Sequence, residues 1–163
     1  MADELQMKLD GLDELKRALA GLPPKIRTRA VRNALKAGAR LIQAAARQAA
    51  PVLAVPTKTR TPGTVQRRIA VRASKFARQA GDEGVFVGVK PLRGKADTRR
   101  YGKASAKNPH DPYYWRFLEF GTKKMPRRPF LDPAVASQGQ AAIARFMAEA
   151  VPQIEKLNVK EGA

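Results

Sequence analysis

Between Pro24 and Pro51 the chain contains no proline, and Gly38 is its only glycine. Proline is well placed in the first turn of a helix and stops one when it arrives later, so the spacing predicts a single helix over 24–50. Ile26, Ala30, Ala34, Ala37, Leu41, Ala45 and Gln48 fall on one stripe of that helix. Arg27, Arg29, Arg32, Lys36, Arg40 and Arg47 supply its polar surface. At 1.5 Å per residue the helix reaches roughly 40 Å, so in a chain of 163 residues everything else must pack on it. The stripe is mostly alanine, which lets the backbone of a sheet or a second helix come close.

The rest of the chain divides around this rod. Leu5, Met7 and Leu9 alternate with polar residues and predict a short first strand. Leu12, Leu15, Leu19 and Leu22 recur at helical spacing, with Asp10 as N-cap and Gly21 and Pro23 as the stop. Residues 51–63, with Pro51, Pro56, Pro62 and Gly63, predict an extended loop that projects as an arm. Ile69, Val71 and Ala73 recur at every second position, and Gly84–Val89 is rich in β-formers. The two should pair as antiparallel strands around Gly81, Asp82 and Glu83. Residues 91–112 are basic, polar and irregular in pattern, a second arm.

Tyr113–Phe120 is too short for its periodicity to separate a helical turn from a strand. Asp132 is a good N-cap with Pro133 behind it, predicting a helix to about Ala150 that stops before Pro152. No internal repeat is visible. The expected fold class is therefore α+β: a small antiparallel β-sheet packed against one long helix and a C-terminal helix, with extended loop arms. The expected organisation is one domain over 1–163, with arms at about 51–63 and 91–112.

Charge narrows the function. The chain carries 32 Lys and Arg against 14 Asp and Glu, a formal net charge of +18, with a pI near 11.0. From Lys16 to Ala80 there is no acid, and from Lys90 to Arg128 the only acids are Asp97, Asp111 and Glu119. A merely solubilising surface would mix both signs. Segregation of this kind implies a polyanion or an acidic protein as neighbour. Chemistry is harder to find. There is no cysteine, and the single histidine, His110, lies beside Asp111 in a proline-rich stretch with no second ligand and no serine to activate. No phosphate-binding glycine loop or dinucleotide fingerprint is present. The expectation is no catalytic residue, no metal and no cofactor. Met1–Asp10 carries acids and no signal-like apolar run, and no apolar stretch reaches membrane-spanning length, so no membrane partner is expected.

One constellation stands apart. Tyr113-Tyr114-Trp115-Arg116-Phe117-Leu118-Glu119-Phe120-Gly121-Thr122 is followed by Lys124-Met125-Pro126 and by Arg128-Pro129-Phe130-Leu131-Asp132-Pro133-Ala134. Physically it reads as a folded corner. Gly121 can take positive φ, Pro126 and Pro129 stiffen the return, and Phe130 with Leu131 can plug the core before the last helix. Glu119, among aromatic and basic residues, needs a salt bridge or backbone N–H groups to remain charged there. A structural latch fits it better than a catalytic carboxylate, because no acid–base partner is at hand.

In these residues the sequence resembles the tail-component family of siphophages. Members of that family carry an aromatic segment, then Glu-Phe-Gly-Thr, then a Pro-Phe-Leu-x-Pro-Ala junction. The structural motif is thus Glu119, Phe120, Gly121, Thr122, Pro129, Phe130 and Pro133. The likeness extends to Gly11-Leu12 with Leu15 and Leu19, to the alanine-rich helix ending at Ala50-Pro51-Val52, and to Gly63-Thr64. Residues 53–62 lengthen the loop between those last two landmarks beyond the family's usual spacing.

The resemblance implies a structural virion protein, a tail-completion or neck subunit assembled in the bacterial host cytoplasm. Six copies would form a ring joining the tail tube to the head connector, with double-stranded DNA in the channel. Its neighbours would be head-completion or connector, tail-terminator or tail-tube proteins. Arg29, Arg32, Lys36 and Arg40 are the candidate basic contact face. The alternative is a sequence-independent nucleic-acid-binding protein, with Arg-rich helices on phosphates and Tyr113, Tyr114 and Trp115 as stacking surfaces.

Overall fold

The computed structural model describes residues 15, 17, 19, 20 and 23–161, with side chains described as far as residue 154. The expected strand at Leu5–Leu9 and the Asp10 cap lie outside these residues. Leu15 and Leu19 are helical, as their spacing predicts.

The long helix, α1, runs over Pro24–Ala49, with Pro24 in its first turn. Its buried face is Ile26, Ala30, Ala34, Gly38, Ala39 and Ala46. The first three are the expected ones, but beyond Ala34 the face turns away from the expected stripe. Ala37, Leu41 and Ala45 are only half-buried and Gln48 is exposed. The reason is the neighbour. The C-terminal helix, labelled α6 below, packs along a row of residues four apart, and such a row winds slowly round the helix instead of staying on one straight stripe. At Gly38 the two backbones are so close that a Cβ would collide with the Ala142 carbonyl oxygen.

Two short strands, β1 (Ile69–Ala73) and β2 (Val85–Val89), form an antiparallel pair in the register Ile69↔Val89 to Ala73↔Val85. The sheet is fastened to α1 at one carbonyl: the Gln43 side-chain amide (2.8 Å) and the Arg47 guanidinium (2.9 Å) both donate to Ile69 O. A short helix, α2 (Thr64–Arg68), leads into β1, with Gly63 at φ 70° as its N-cap. Another, α3 (Lys75–Gln79), sits between the strands, capped by Ser74, whose Oγ accepts the Ala77 N–H at 3.1 Å.

Residues 91–112 are not wholly irregular: Lys95–Tyr101 is a helix, α4, and Leu92, Asp97, Asp111 and Pro112 are buried. The aromatic segment becomes helix α5 over Trp115–Phe120, which decides between helix and strand. Helix α6 covers Leu131–Glu161 and corrects the expected C-terminal helix at both ends. It begins before Asp132, so Asp132 and Pro133 lie inside its first turn. It also continues through Pro152. Losing one intrahelical hydrogen bond there is tolerated because Ala150 and Ile154, on either side of the proline, are buried against Leu15, Ile26, Ala30 and Ala34.

A second core joins the other end of α1 to the sheet and the corner. Ala46, Ala50, Val65, Ile69 and Val89 surround Phe130 and Ala134, with Tyr114, Trp115 and Leu118 packed around them. The architecture is α+β: a two-stranded antiparallel sheet, one long helix and one C-terminal helix.

Candidate interaction surface

The corner at residues 119–132 is organised by one carboxylate. Glu119 is 2% exposed, and its Oε2 accepts the backbone N–H groups of Phe130 (2.9 Å) and Leu131 (3.1 Å). Its Oε1 accepts that of Asp132 at 3.1 Å. These are the donors that a helix leaves without intrahelical partners at its N-terminus, so Glu119 caps α6 from a distant position in the chain. Asp132, the expected cap, is free to point outward, 3.7 Å from Arg127.

Gly121 ends α5 at φ 75°. The chain then turns tightly, with Thr122 N–H donating to Met125 O at 2.9 Å, and returns so that Arg128 N–H meets Leu118 O at 2.7 Å. Phe130 is fully buried. Phe120 instead faces outward at 70% exposure, and Thr122 and Pro133 are also exposed.

Most of the other acids among the described side chains are committed to the fold as well. Asp97 receives Arg68 at 3.0 Å and Lys90 at 3.1 Å, and these two cations hold its carboxyl well below the usual carboxylate range. Glu83 binds the Arg32 guanidinium through two bonds, 2.8 and 2.7 Å, which lower its pKa and raise that of Arg32. Asp111 accepts the N–H groups of Ser105 (2.9 Å) and Tyr113 (3.0 Å), and Glu149 pairs with Arg145 at 2.6 Å. Among the described side chains, Asp82 and the loosely paired Asp132 are the acids left to the surface. Far more cations than these two could pair with remain there, so the outward field is basic.

The four candidate cations on α1 do not form one free face. Arg29 and Arg40 are exposed, Arg32 is held by Glu83, and Lys36 is half-buried. Lys36 and Arg40 line an open groove of about 840 Å³ between α1 and α6, together with Asn33, Arg145, Glu149 and Gln153.

Pattern reading missed a further cation, Arg60. Its guanidinium lies 4.8 Å from the ring centroids of both Tyr113 and Tyr114, donates to the Tyr113 hydroxyl, and reaches Ala106 O at 3.0 Å. Thr61 N–H donates to Pro109 O at 3.2 Å, and Thr64 Oγ1 donates to the same carbonyl at 3.1 Å. The ends of the two long connecting segments are thus tied to each other. No local signal marks Arg60, because its partners are some fifty positions away.

Among the described residues no cluster of three metal-binding side chains exists, and no helix is long and apolar enough to cross a membrane. His110 is exposed, its ring 5.5 Å from that of Tyr101.

An α+β scaffold in which most of the described acids are paired within the fold, while many cations face outward, suits contact with other macromolecules. Residues 13–121, two-thirds of the chain, match the model of the HK97-gp10-like family, described as "Bacteriophage HK97-gp10, putative tail-component", and the chain belongs to this family. It is a structural component of a bacteriophage tail, present in the virion in contact with other virion proteins. The junction from Pro129 to Pro133 lies beyond the matched residues. No curated protein and no solved structure gives a significant match.

Proposed function

We propose that the protein is a tail-completion or neck subunit. Six copies form a ring that joins the tail tube to the head connector, and double-stranded DNA passes through the channel. The observation that carries this reading is the division of charge: most of the described acids bind backbone or cations within the fold, in a chain whose net charge is +18. A predominantly basic surface attracts either the DNA in the channel or an acidic ring above or below. The whole chain, 1–163, acts as one unit, and the segments 51–63 and 91–112 reach neighbouring subunits or the next ring. The corner formed by Glu119, Phe120, Gly121, Thr122, Pro129, Phe130 and Pro133 keeps the two halves of the wedge in fixed relation.

On α1, the contact face is Arg29, Lys36 and Arg40, with Arg32 serving the internal pair. The test is charge reversal by Arg29→Glu, Lys36→Glu and Arg40→Glu together, leaving the Arg32–Glu83 pair intact. Unjoined heads and tails with a normally folded protein would identify an acidic protein partner. Complete particles that eject DNA poorly would identify DNA. Normal infection would show that the face is only solvated. Image reconstruction of the virion neck measures the copy number directly, and a count other than six would refute the hexameric ring.

A nucleic-acid-binding role outside the neck is the competing reading, favoured by the stacking of Arg60 on two tyrosines next to exposed aromatics. It requires the free chain to bind DNA with an affinity that falls steeply with salt, and the chain to be missing from the reconstructed neck.

A further inference from the structure

Three aromatic side chains at the corner are exposed without serving the core. Tyr113, Phe117 and Phe120 are 36%, 46% and 70% exposed; Phe117 and Phe120 stand three residues apart on α5, and Tyr113 lies two residues before its start. Tyr113 and Phe117 meet edge to face, with ring centroids 6.4 Å apart. Val52 and Leu53, themselves half-exposed, share a cleft of about 200 Å³ with Tyr114 and Leu118, and Val55 beyond them is 71% exposed. Val52 and Leu53 therefore adjoin α5 on its Tyr114 and Leu118 side.

This surface is held stiff. Glu119, between Phe117 and Phe120 in sequence, is anchored inward on three backbone N–H groups, and Arg60 lies against Tyr113 and Tyr114. Rigid exposed aromatics lose little conformational entropy on binding, which is why they dominate the energetics of protein interfaces.

The same stretch of chain carries Arg116, Lys123, Lys124, Arg127 and Arg128. From Pro112 to Leu131 the only acid is the buried Glu119. We propose that Tyr113, Phe117 and Phe120, with Val52, Leu53 and Val55 beside them, form the docking face for a different virion protein that presents an apolar projection within an acidic rim. Charge selects this occupant. A second copy of the chain carries the same net charge of +18, and among its described side chains Asp82 and Asp132 are the only loosely held acids. Duplex DNA would answer the cations but offers its phosphates, not apolar surface, to a row of aromatics.

The test uses the full chain made in a host that is producing particles, with Phe120→p-benzoylphenylalanine as a photocrosslinker. The expected result is a link, in assembled particles, to a different virion protein through a peptide in which Asp or Glu flanks apolar residues. A link to a second copy, a link to DNA, or no link from particles that contain the chain would overturn the proposal. Phe117→Ala with Phe120→Ala should leave the thermal melt unchanged and lower incorporation by more than about tenfold, as loss of interface anchors does. Incorporation at the wild-type level would overturn it equally. If the double variant melts early, Phe120→Ser alone decides, because that side chain is the most exposed of the three. The inference does not depend on the number of copies in the ring, which the neck reconstruction tests separately.

Discussion

The carboxylate of Glu119 accepts the backbone N–H of Phe130 at 2.9 Å, and with it the first donors of the last helix, so that one side chain of α5 starts α6. Removing it strands buried donors. Glu119→Ala should therefore cost about 2–4 kcal/mol, more than an ordinary exposed cap. Glu119→Gln, which keeps one accepting oxygen, should cost roughly half as much. Thermal melts of the two variants give the order, and an alanine variant as stable as wild type would show that the latch contributes nothing.

Gly121 combines positive φ with crowding: a Cβ there would stand 3.0 Å from Arg127 N and 3.1 Å from Met125 O. Gly121→Val should lower stability by about 1–3 kcal/mol, since a β-branched residue strains this backbone and also presses on it. A melting temperature equal to wild type would contradict the strain.

Gly38 and Gly139 lie on helices that share a face, yet they should respond in opposite directions to the same change. Alanine at either position improves helix propensity by about 1 kcal/mol. At Gly38 the new methyl meets the Ala142 backbone, which cannot give way without moving α6, while at Gly139 nothing lies within 4 Å. Gly38→Ala should thus lose about 1–3 kcal/mol net and Gly139→Ala should gain up to about 1. Denaturant unfolding of the pair checks this, and stabilisation by Gly38→Ala would mean the helices are further apart than described.

Acid should weaken the fold through Asp97. Its carboxyl titrates well below the usual range because Arg68, and then Lys90, hydrogen-bond to it. A group with a depressed folded pKa contributes fully above its unfolded value, near about 4, and loses that contribution as pH falls toward the folded one. Between about pH 8 and 5 this pair should leave stability unchanged, and below about pH 5 stability should decline. Asp97→Asn should be less stable at neutral pH and show a shallower acid decline. An identical decline in both proteins would remove Asp97 as its source.

Much of the architecture is legible in local pattern. The prolines at 24 and 51 bound α1, alternation locates the first strand and a run of β-formers the second, and Gly121 with its following prolines marks a turn. The reach of Glu119 was legible in part: the need for backbone donors follows from a carboxylate among aromatics, but which donors does not. Arg60 and Asp97 carried no signal, since Tyr113 stands 53 positions from the first and Arg68 stands 29 from the second.

The sequence by itself determined the long helix, the strand pair, the turn at Gly121 and the excess of positive charge, because each rests on interactions between near neighbours or on composition alone. Only the tertiary structure decided which face of α1 is buried, where α6 starts and stops, and which acids are neutralised. The buried row of α1 follows the angle at which another helix crosses it. The start of α6 is set by a carboxylate brought back by the turn, and its passage through Pro152 is sustained by the burial of Ala150 and Ile154. Asp97 and Glu83 lose their place in the outward field because the fold carries Arg68, Lys90 and Arg32 to them. Such contacts depend on where distant elements come to lie, and local periodicity holds no information about that position.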